Sequence, residues 1–281
     1  MAFPELDGRR VLVTGAMGFL GRHLVRTLAE GSGARLRLLT RRPMPDEPPA
    51  AARGRSELLA GDLTDAAGVA QPCDGVDVVI HAAAGMPGQP GAALTPDGYR
   101  LVNVDATLRL AMQAAAAGAR RFVFVSSTAA MGAPAGSVVD ETTPCCPSSP
   151  YEVTKRLAEE GLLELGRRTG LEIVIVRPCL IAGEGQRGGV LLKLFQLCRK
   201  GRFPAFGGRL DVQKPLVDVE DVAVGLALAA NRGVPGAIYL VTSGERHTLG
   251  EMLAIAGALS GNPRPYMKIP LPAARAAPRR C

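Results

Sequence analysis

Thr14-Gly15-Ala16-Met17-Gly18-Phe19-Leu20-Gly21 follows a short β-rich run at residues 11–14. It opens a stretch, 19–29, whose apolar residues recur at Leu20, Leu24, Val25 and Leu28. That spacing suits one face of a helix. A glycine turn between strand and helix lets the backbone bend tightly and lets a pyrophosphate approach the helix N-terminus, where N–H groups and the positive dipole end point outward. Such turns also simply link strands to helices, so the surroundings decide the meaning.

Outward from the turn, short apolar runs at 35–40, 58–60, 76–80, 121–125 and 171–176 read as strands buried on both faces, with helix candidates at 99–117 and 151–168. This alternation predicts an α/β fold: a doubly wound, parallel, Rossmann-type sheet whose right-handed crossovers line up ligand-binding strand ends on one edge. After Pro178 the rhythm changes. Glycines cluster at 183–189, with helix candidates at 190–199, 219–230 and 249–259 and a strand at 237–241. Residues 1–178 plus about 216–232 are expected to form the Rossmann domain. Residues 179–215 and 233–281 are expected to form a smaller substrate lobe that reads as cut short or reduced. Proline-rich stretches at 42–51 and 84–96 read as surface loops.

Composition narrows the function. The net charge is +7, yet no basic run exceeds two residues, tryptophan is absent and aromatics are 4%. Stacking on nucleic acid is therefore disfavoured, and the basic excess reads as a solvated, arginine-rich surface, with attraction of an anionic cofactor the alternative. Six cysteines without a CxxC pair and three isolated histidines argue against a metal and for a reducing compartment. No signal-like segment or 18-residue apolar run appears, so no membrane partner is expected and the cytoplasm is the expected location.

Tyr151 and Lys155 stand four apart on a predicted helix, hence on one face. A phenol titrates near 10 in water, and a lysine cation beside it would favour the phenolate. Ser126-Ser127 ends the fifth strand at the ligand edge, where a hydroxyl can donate to a substrate carbonyl. Asn103 reads equally as a site residue or a backbone-bonding one, and His81 reads as a packing residue.

The Gly-x-x-Gly-x-x-Gly spacing, with Ser127 followed by Gly132, the Tyr151–Lys155 pair, Pro178 in VRP and Asp221 in PLVDVEDVA, resembles the extended short-chain dehydrogenase/reductase family. That branch holds nucleotide-sugar epimerases, dehydratases and 3β-hydroxysteroid-dehydrogenase-like enzymes, and the resemblance runs from about residue 9 to about 260. It implies that Gly15, Met17, Gly18, Phe19, Leu20 and Gly21 cradle the cofactor pyrophosphate. Thr40 and Arg41 would meet the adenosine ribose, Asp62 and Leu63 the adenine, and Ala82 and Ala83 the cofactor's flank. Ser126, Tyr151, Lys155 and Pro178 would lie at the nicotinamide, and Asp221 would be a structural acid at the lobe junction. The catalytic set implied is Ser127, Tyr151 and Lys155, supported by Asn103.

The slot for an NAD-selecting carboxylate falls at Thr40, and Arg41-Arg42 follow, so NADP(H) is favoured, with NAD(H) the alternative. The implied chemistry is hydride transfer at a secondary alcohol or ketone of a small-molecule substrate. Thr128-Ala129-Ala130 after Ser127 lacks the acidic pair of sugar dehydratases. Cys179-Leu180-Ile181-Ala182 lacks the asparagine with which epimerases meet a sugar diphosphate, although Lys214 and Arg187 could serve. Met131, Leu180 and Ile181 predict an apolar cleft rim. A nucleotide-sugar 4-epimerase holding NAD is the alternative, and a non-catalytic cofactor-binding regulator a third. The resemblance further implies a homodimer paired through the helices at 99–117 and 151–168.

Overall fold

The computed structural model describes residues 1–41, 49–65, 71–87, 95–133, 138–208 and 210–270. In chain order its main elements are β1 (Arg10–Thr14), α1 (Phe19–Gly31), β2 (Arg35–Thr40), β3 (Ser56–Ala60), β4 (Val78–His81), α2 (Pro96–Arg100), α3 (Ala106–Ala116), β5 (Arg121–Val125) and α4 (Pro150–Thr169). They continue with β6 (Glu172–Pro178), β7 (Leu180–Ala182), α5 (Val190–Arg199), β8 (Phe203–Phe206), β9 (Leu216–Asp218), α6 (Val219–Arg232), β10 (Ile238–Val241), α7 (Leu249–Leu259) and β11 (Tyr266–Ile269).

Seven strands form one sheet in the order β10-β6-β5-β4-β1-β2-β3, and every pairing in it is parallel. The order reverses beside β1, so the ends of β1 and β4 bound the crevice where such sheets take ligands. Alternate residues of each strand face opposite layers. Val11, Val13, Val123 and Val125 pack with Leu24 and Leu28 of α1 and Val222 and Leu226 of α6. Leu12, Phe122 and Phe124 pack on the other side with Leu110 of α3 and Ala158 and Leu162 of α4. A separate cluster of Leu191, Leu194, Cys198, Met252 and Leu253 gives the lobe its own small core.

Several boundaries differ from the sequence-based expectation. The fourth strand starts at Val78, because Val76 N–H closes a turn onto the Cys73 carbonyl. The helix expected over 99–117 begins at Pro96 and passes through a π-turn, Leu101–Asp105, before α3. π-turns recur where a helix is reshaped at a functional site. The expected lobe segment 233–281 also needs correction: Ile238–Val241 is the seventh strand of the main sheet, register-paired with Ile175–Pro178. The edge of β6 is apolar and continuous with the core, and a short β-branched strand satisfies its open backbone groups. The loops expected at 42–51 and 84–96 fall largely outside the described residues, and the chain's final stretch, 271–281, lies outside them as well.

Candidate active site

The glycine turn fits the close approach predicted for it. Gly15 has φ +65°, and a Cβ there would meet the Ala83 backbone nitrogen at 2.9 Å. A Cβ on Gly21 would come within 2.1 Å of the Gly15 carbonyl oxygen. Gly18 N-caps α1 without a side-chain cap, and the first turn carries no acidic residue, so its N–H groups face the crevice uncontested by a local anion. Thr14, which sequence reasoning left out, braces this wall. Its hydroxyl oxygen accepts from Ala83 N–H (3.1 Å) and the hydroxyl pairs with His81 Nδ1 (2.7 Å).

His81 is a core residue, as the sequence suggested. It is buried, stacks on Phe124 and bonds Thr107 through Nε2 at 2.9 Å. Thr107 donates to the Asn103 carbonyl, which leaves its oxygen to accept from His81 Nε2–H, so the neutral ring accepts from Thr14 at Nδ1. Burial, joined by the nearby Lys155 charge, pulls the imidazole down to about 3.

At the adenosine end, Thr40 closes β2 and Arg41 follows it, exposed. Arg42 lies outside the described residues. The Asp62 carboxyl is held below its usual range: burial works against this, but Thr64 donates to it from both backbone and hydroxyl, and Arg41 is close. Leu63 packs against the second core cluster. Ala82 and Ala83 run beside the glycine turn, and Pro178 ends β6, buried.

Ser127 and Tyr151 come together. Helix α4, which carries Tyr151 and Lys155, starts with a Ser149–Glu152 capping box and Pro150 in its first turn. That cap aims its first turn at the end of β5, and the Ser127 hydroxyl lies close enough to the Tyr151 phenol to favour its charged form. Ser127 also caps the short turn 128–131, accepting from Ala129 N–H at 3.1 Å. Tyr99 of α2 meets the Tyr151 ring edge-on, with centroids 6.1 Å apart. Nothing in its spacing marked Tyr99 out.

The expected effect of Lys155 on the phenol is corrected. Burial pushes Tyr151 up to about 12, Ser127 only partly offsets this, and Tyr99 adds to it. The Lys155 ammonium points deeper: Nζ donates to the Val125 carbonyl at 2.9 Å and lies 4.7 Å from the Phe124 ring centroid. Its own value is pulled down to about 8 by burial, against the opposing pull of Glu159.

Three further expectations change. The Ser126 hydroxyl turns away from the crevice and donates to Glu159 at 2.5 Å, so only its backbone is left to face a cofactor. Met131 is buried and so forms no rim, whereas Leu180 and Ile181 are half-buried. The acid that caps α6 is Asp218, accepting from Glu220 N–H, while Asp221 sits exposed in the first turn.

Asn103 takes the backbone-bonding role. Buried in the π-turn, it accepts from Gly85 N–H (2.8 Å) and donates to the Gly85 carbonyl and the Thr154 hydroxyl. It thus fastens the segment after β4 to the N-terminal end of the Tyr151–Lys155 helix. Asn103→Ala leaves both Gly85 groups unpaired, and we expect a loss of about 1–3 kcal/mol, read as a lower thermal midpoint.

Sequence reasoning missed a buried charge cluster behind the site. Glu159 and Arg177 are both essentially without solvent contact and form a two-point ion pair at 2.6 and 2.8 Å. The available signals were position i+4 after Lys155 and a lone arginine within an apolar strand. No cluster of metal-ligating residues occurs among the described residues.

The sequence signature described as the NAD dependent epimerase/dehydratase family matches residues 11–242. The chain is 36% identical to sterol demethylase protein B of Methylococcus capsulatus, over 92% of this chain and 77% of that one. It is 34% identical to a 3 beta-hydroxysteroid dehydrogenase/Delta 5→4-isomerase of Mycobacterium tuberculosis, over 95% and 73% of the two chains. Among solved structures, a dTDP-glucose 4,6-dehydratase of Streptomyces venezuelae with NAD and TYD bound superposes with a TM-score of 0.80 at 28% identity, covering 93% and 84%.

Proposed function

The chain belongs to the NAD dependent epimerase/dehydratase family, within the extended short-chain dehydrogenase/reductases, and we propose that it is an NADP(H)-dependent oxidoreductase acting on a hydrophobic secondary alcohol or ketone. The observation that carries this reading is the meeting of the Ser127 and Tyr151 hydroxyls at the sheet's carboxyl edge, one helical turn from Lys155.

The residues present fit a dinucleotide. A Cβ at Gly15 or Gly21 would fill the space where backbone must come close, and the N-terminus of α1 faces the crevice without an acidic side chain. Arg41 would meet a 2′-phosphate at the end of β2. When bound, the nicotinamide supplies or accepts hydride. The chain's own residues then handle oxygen and proton. Ser127 donates to the carbonyl oxygen and stabilises charge growing there, and Tyr151 delivers its phenolic proton to the same oxygen. A phenol raised to about 12 is protonated at neutral pH and so enters the reaction as a proton donor. Lys155 fixes the end of β5 through the Val125 carbonyl and presents its charge beneath the nicotinamide side of the crevice.

Two features support a hydrophobic substrate. Two curated relatives, 36% and 34% identical, carry sterol or steroid names, and Leu180 and Ile181 open the lobe two residues after Pro178. The test is oxidation of NADPH and of NADH against a panel of hydrophobic ketones, with UDP-sugars assayed in parallel for 4-epimerisation. Turnover of ketones with NADPH is expected. Arg41→Ala should lower kcat/KM for NADPH about tenfold and leave NADH within about twofold, the discount reflecting the exposure of Arg41. No ketone turnover, together with epimerisation on retained NAD, would favour the epimerase reading instead.

A further inference from the structure

One carboxylate joins three of the elements that carry the site, α4 and the ends of β5 and β6. Glu159 lies one turn beyond Lys155 on α4, with no solvent contact. Its Oε1 accepts from the Ser126 hydroxyl (2.5 Å) and from Arg177 Nε (2.8 Å), and its Oε2 accepts from Arg177 Nη2 (2.6 Å). Ser126 precedes Ser127 at the end of β5. Arg177 precedes Pro178 at the end of β6. Arg156 approaches the same carboxylate from the half-exposed side, at 3.6 Å.

We propose that Glu159 is a positioning residue of this site: its buried carboxylate fastens α4 to the ends of β5 and β6 and supplies the counter-charge that keeps the Lys155 ammonium in place. The inference rests on the reading of Lys155 as a cofactor-holding group. A buried pair whose only task was to tie α4 to β6 would need Arg177 alone. Here the lone pairs left over by Arg177 are given to Ser126, so a shift of the carboxylate moves the residue adjoining Ser127. The Val125 carbonyl, one residue earlier, is held by Lys155 itself. Glu159 and Lys155 therefore grip the same strand end from successive turns of one helix.

Electrostatics agree with the geometry. Lys155 is faced by Glu159 and Tyr151 from its own helix, by His81 of β4 across the Phe124 ring, and by Arg177 of β6 through Glu159. Tyr99 of α2 lies beyond Tyr151. His81 is neutral and Tyr151 is protonated, so neither offers the ammonium an anion. Glu159 is the group that opposes the effect of burial on Lys155. Removing its charge leaves burial unopposed, and the ammonium then loses its proton at lower pH.

The experiment follows binding of reduced cofactor by nicotinamide fluorescence between pH 6 and 10, a signal free of indole emission because the chain has no tryptophan. In the wild type, affinity should fall as pH rises through about 8. Glu159→Gln keeps the shape and should move that midpoint down by about one pH unit. Glu159→Asp keeps the charge one methylene further away and should move it in the same direction by about a third as much. A folded Glu159→Gln protein with an unmoved midpoint overturns the proposal. Should Glu159→Gln fail to fold, the Asp variant decides on the same terms, since an unmoved midpoint there also overturns it. A protein that reduces no ketone yet shows the shift loses the oxidoreductase reading and keeps Glu159 in this role. One that reduces ketones with no shift does the reverse.

Discussion

Replacing Tyr151 by Phe is expected to lower ketone reduction by about 10²–10⁴-fold while NADPH affinity changes by less than about threefold. The phenylalanine ring keeps the edge contact with Tyr99 and the burial that Tyr151 has now, so packing is preserved. What is lost is one O–H: the proton donor to the substrate oxygen and the neighbour of the Ser127 hydroxyl. The pH profile separates this role from general damage. Because burial holds the phenol up at about 12, no phenol titration should appear between about pH 5 and 9 in the wild type. The first alkaline decline should come near 8, from Lys155, whose charge is present below that value and lost above it. Steady-state rates across this range, with binding followed in parallel, give both numbers. A Phe variant that keeps most of its turnover removes Tyr151 as proton donor.

Gly21→Ala carries the second large effect, and its sign is the informative part. Gly21 sits inside α1, where helix propensity alone would make alanine better by about 0.8–1 kcal/mol. The added Cβ, however, would lie 2.1 Å from the Gly15 carbonyl oxygen and 2.7 Å from that of Ala16, both backbone atoms of the turn. Neither can yield without moving the turn against Ala83. The expected outcome is a net loss of about 1–3 kcal/mol in thermal stability. NADPH affinity should fall about 100-fold or more, because displaced backbone N–H groups no longer meet the pyrophosphate. A variant that melts higher than wild type and binds NADPH as before would refute the turn as the cofactor cradle.

The homodimer, the cytoplasmic location and the choice of NADP(H) over NAD(H) remain expectations that binding, fractionation and sizing experiments address directly. No helix among the described residues is long and apolar enough to cross a membrane.

Much of the molecule follows from local rules that a sequence displays. The strands at 35–40 and 121–125 and the helices at 190–199 and 249–259 begin and end where periodicity and turn residues said they would. The glycine turn and the Tyr151–Lys155 face were readable because each depends on residues within one turn of the backbone. Pairings across long sequence separations were not readable. That Lys155 donates to Val125 rather than lying against the phenol, that Ser126 turns to Glu159, and that Ile238–Val241 completes the sheet all depend on which buried groups meet once the layers close. Sequence alone determined the doubly wound fold and the family, and it nominated the glycine turn and the Ser127, Tyr151 and Lys155 set that the proposed function rests on. The tertiary structure decided how those groups are charged and held, because burial shifts each titratable group by its full surroundings and every buried donor must find an acceptor wherever the chain happens to bring one.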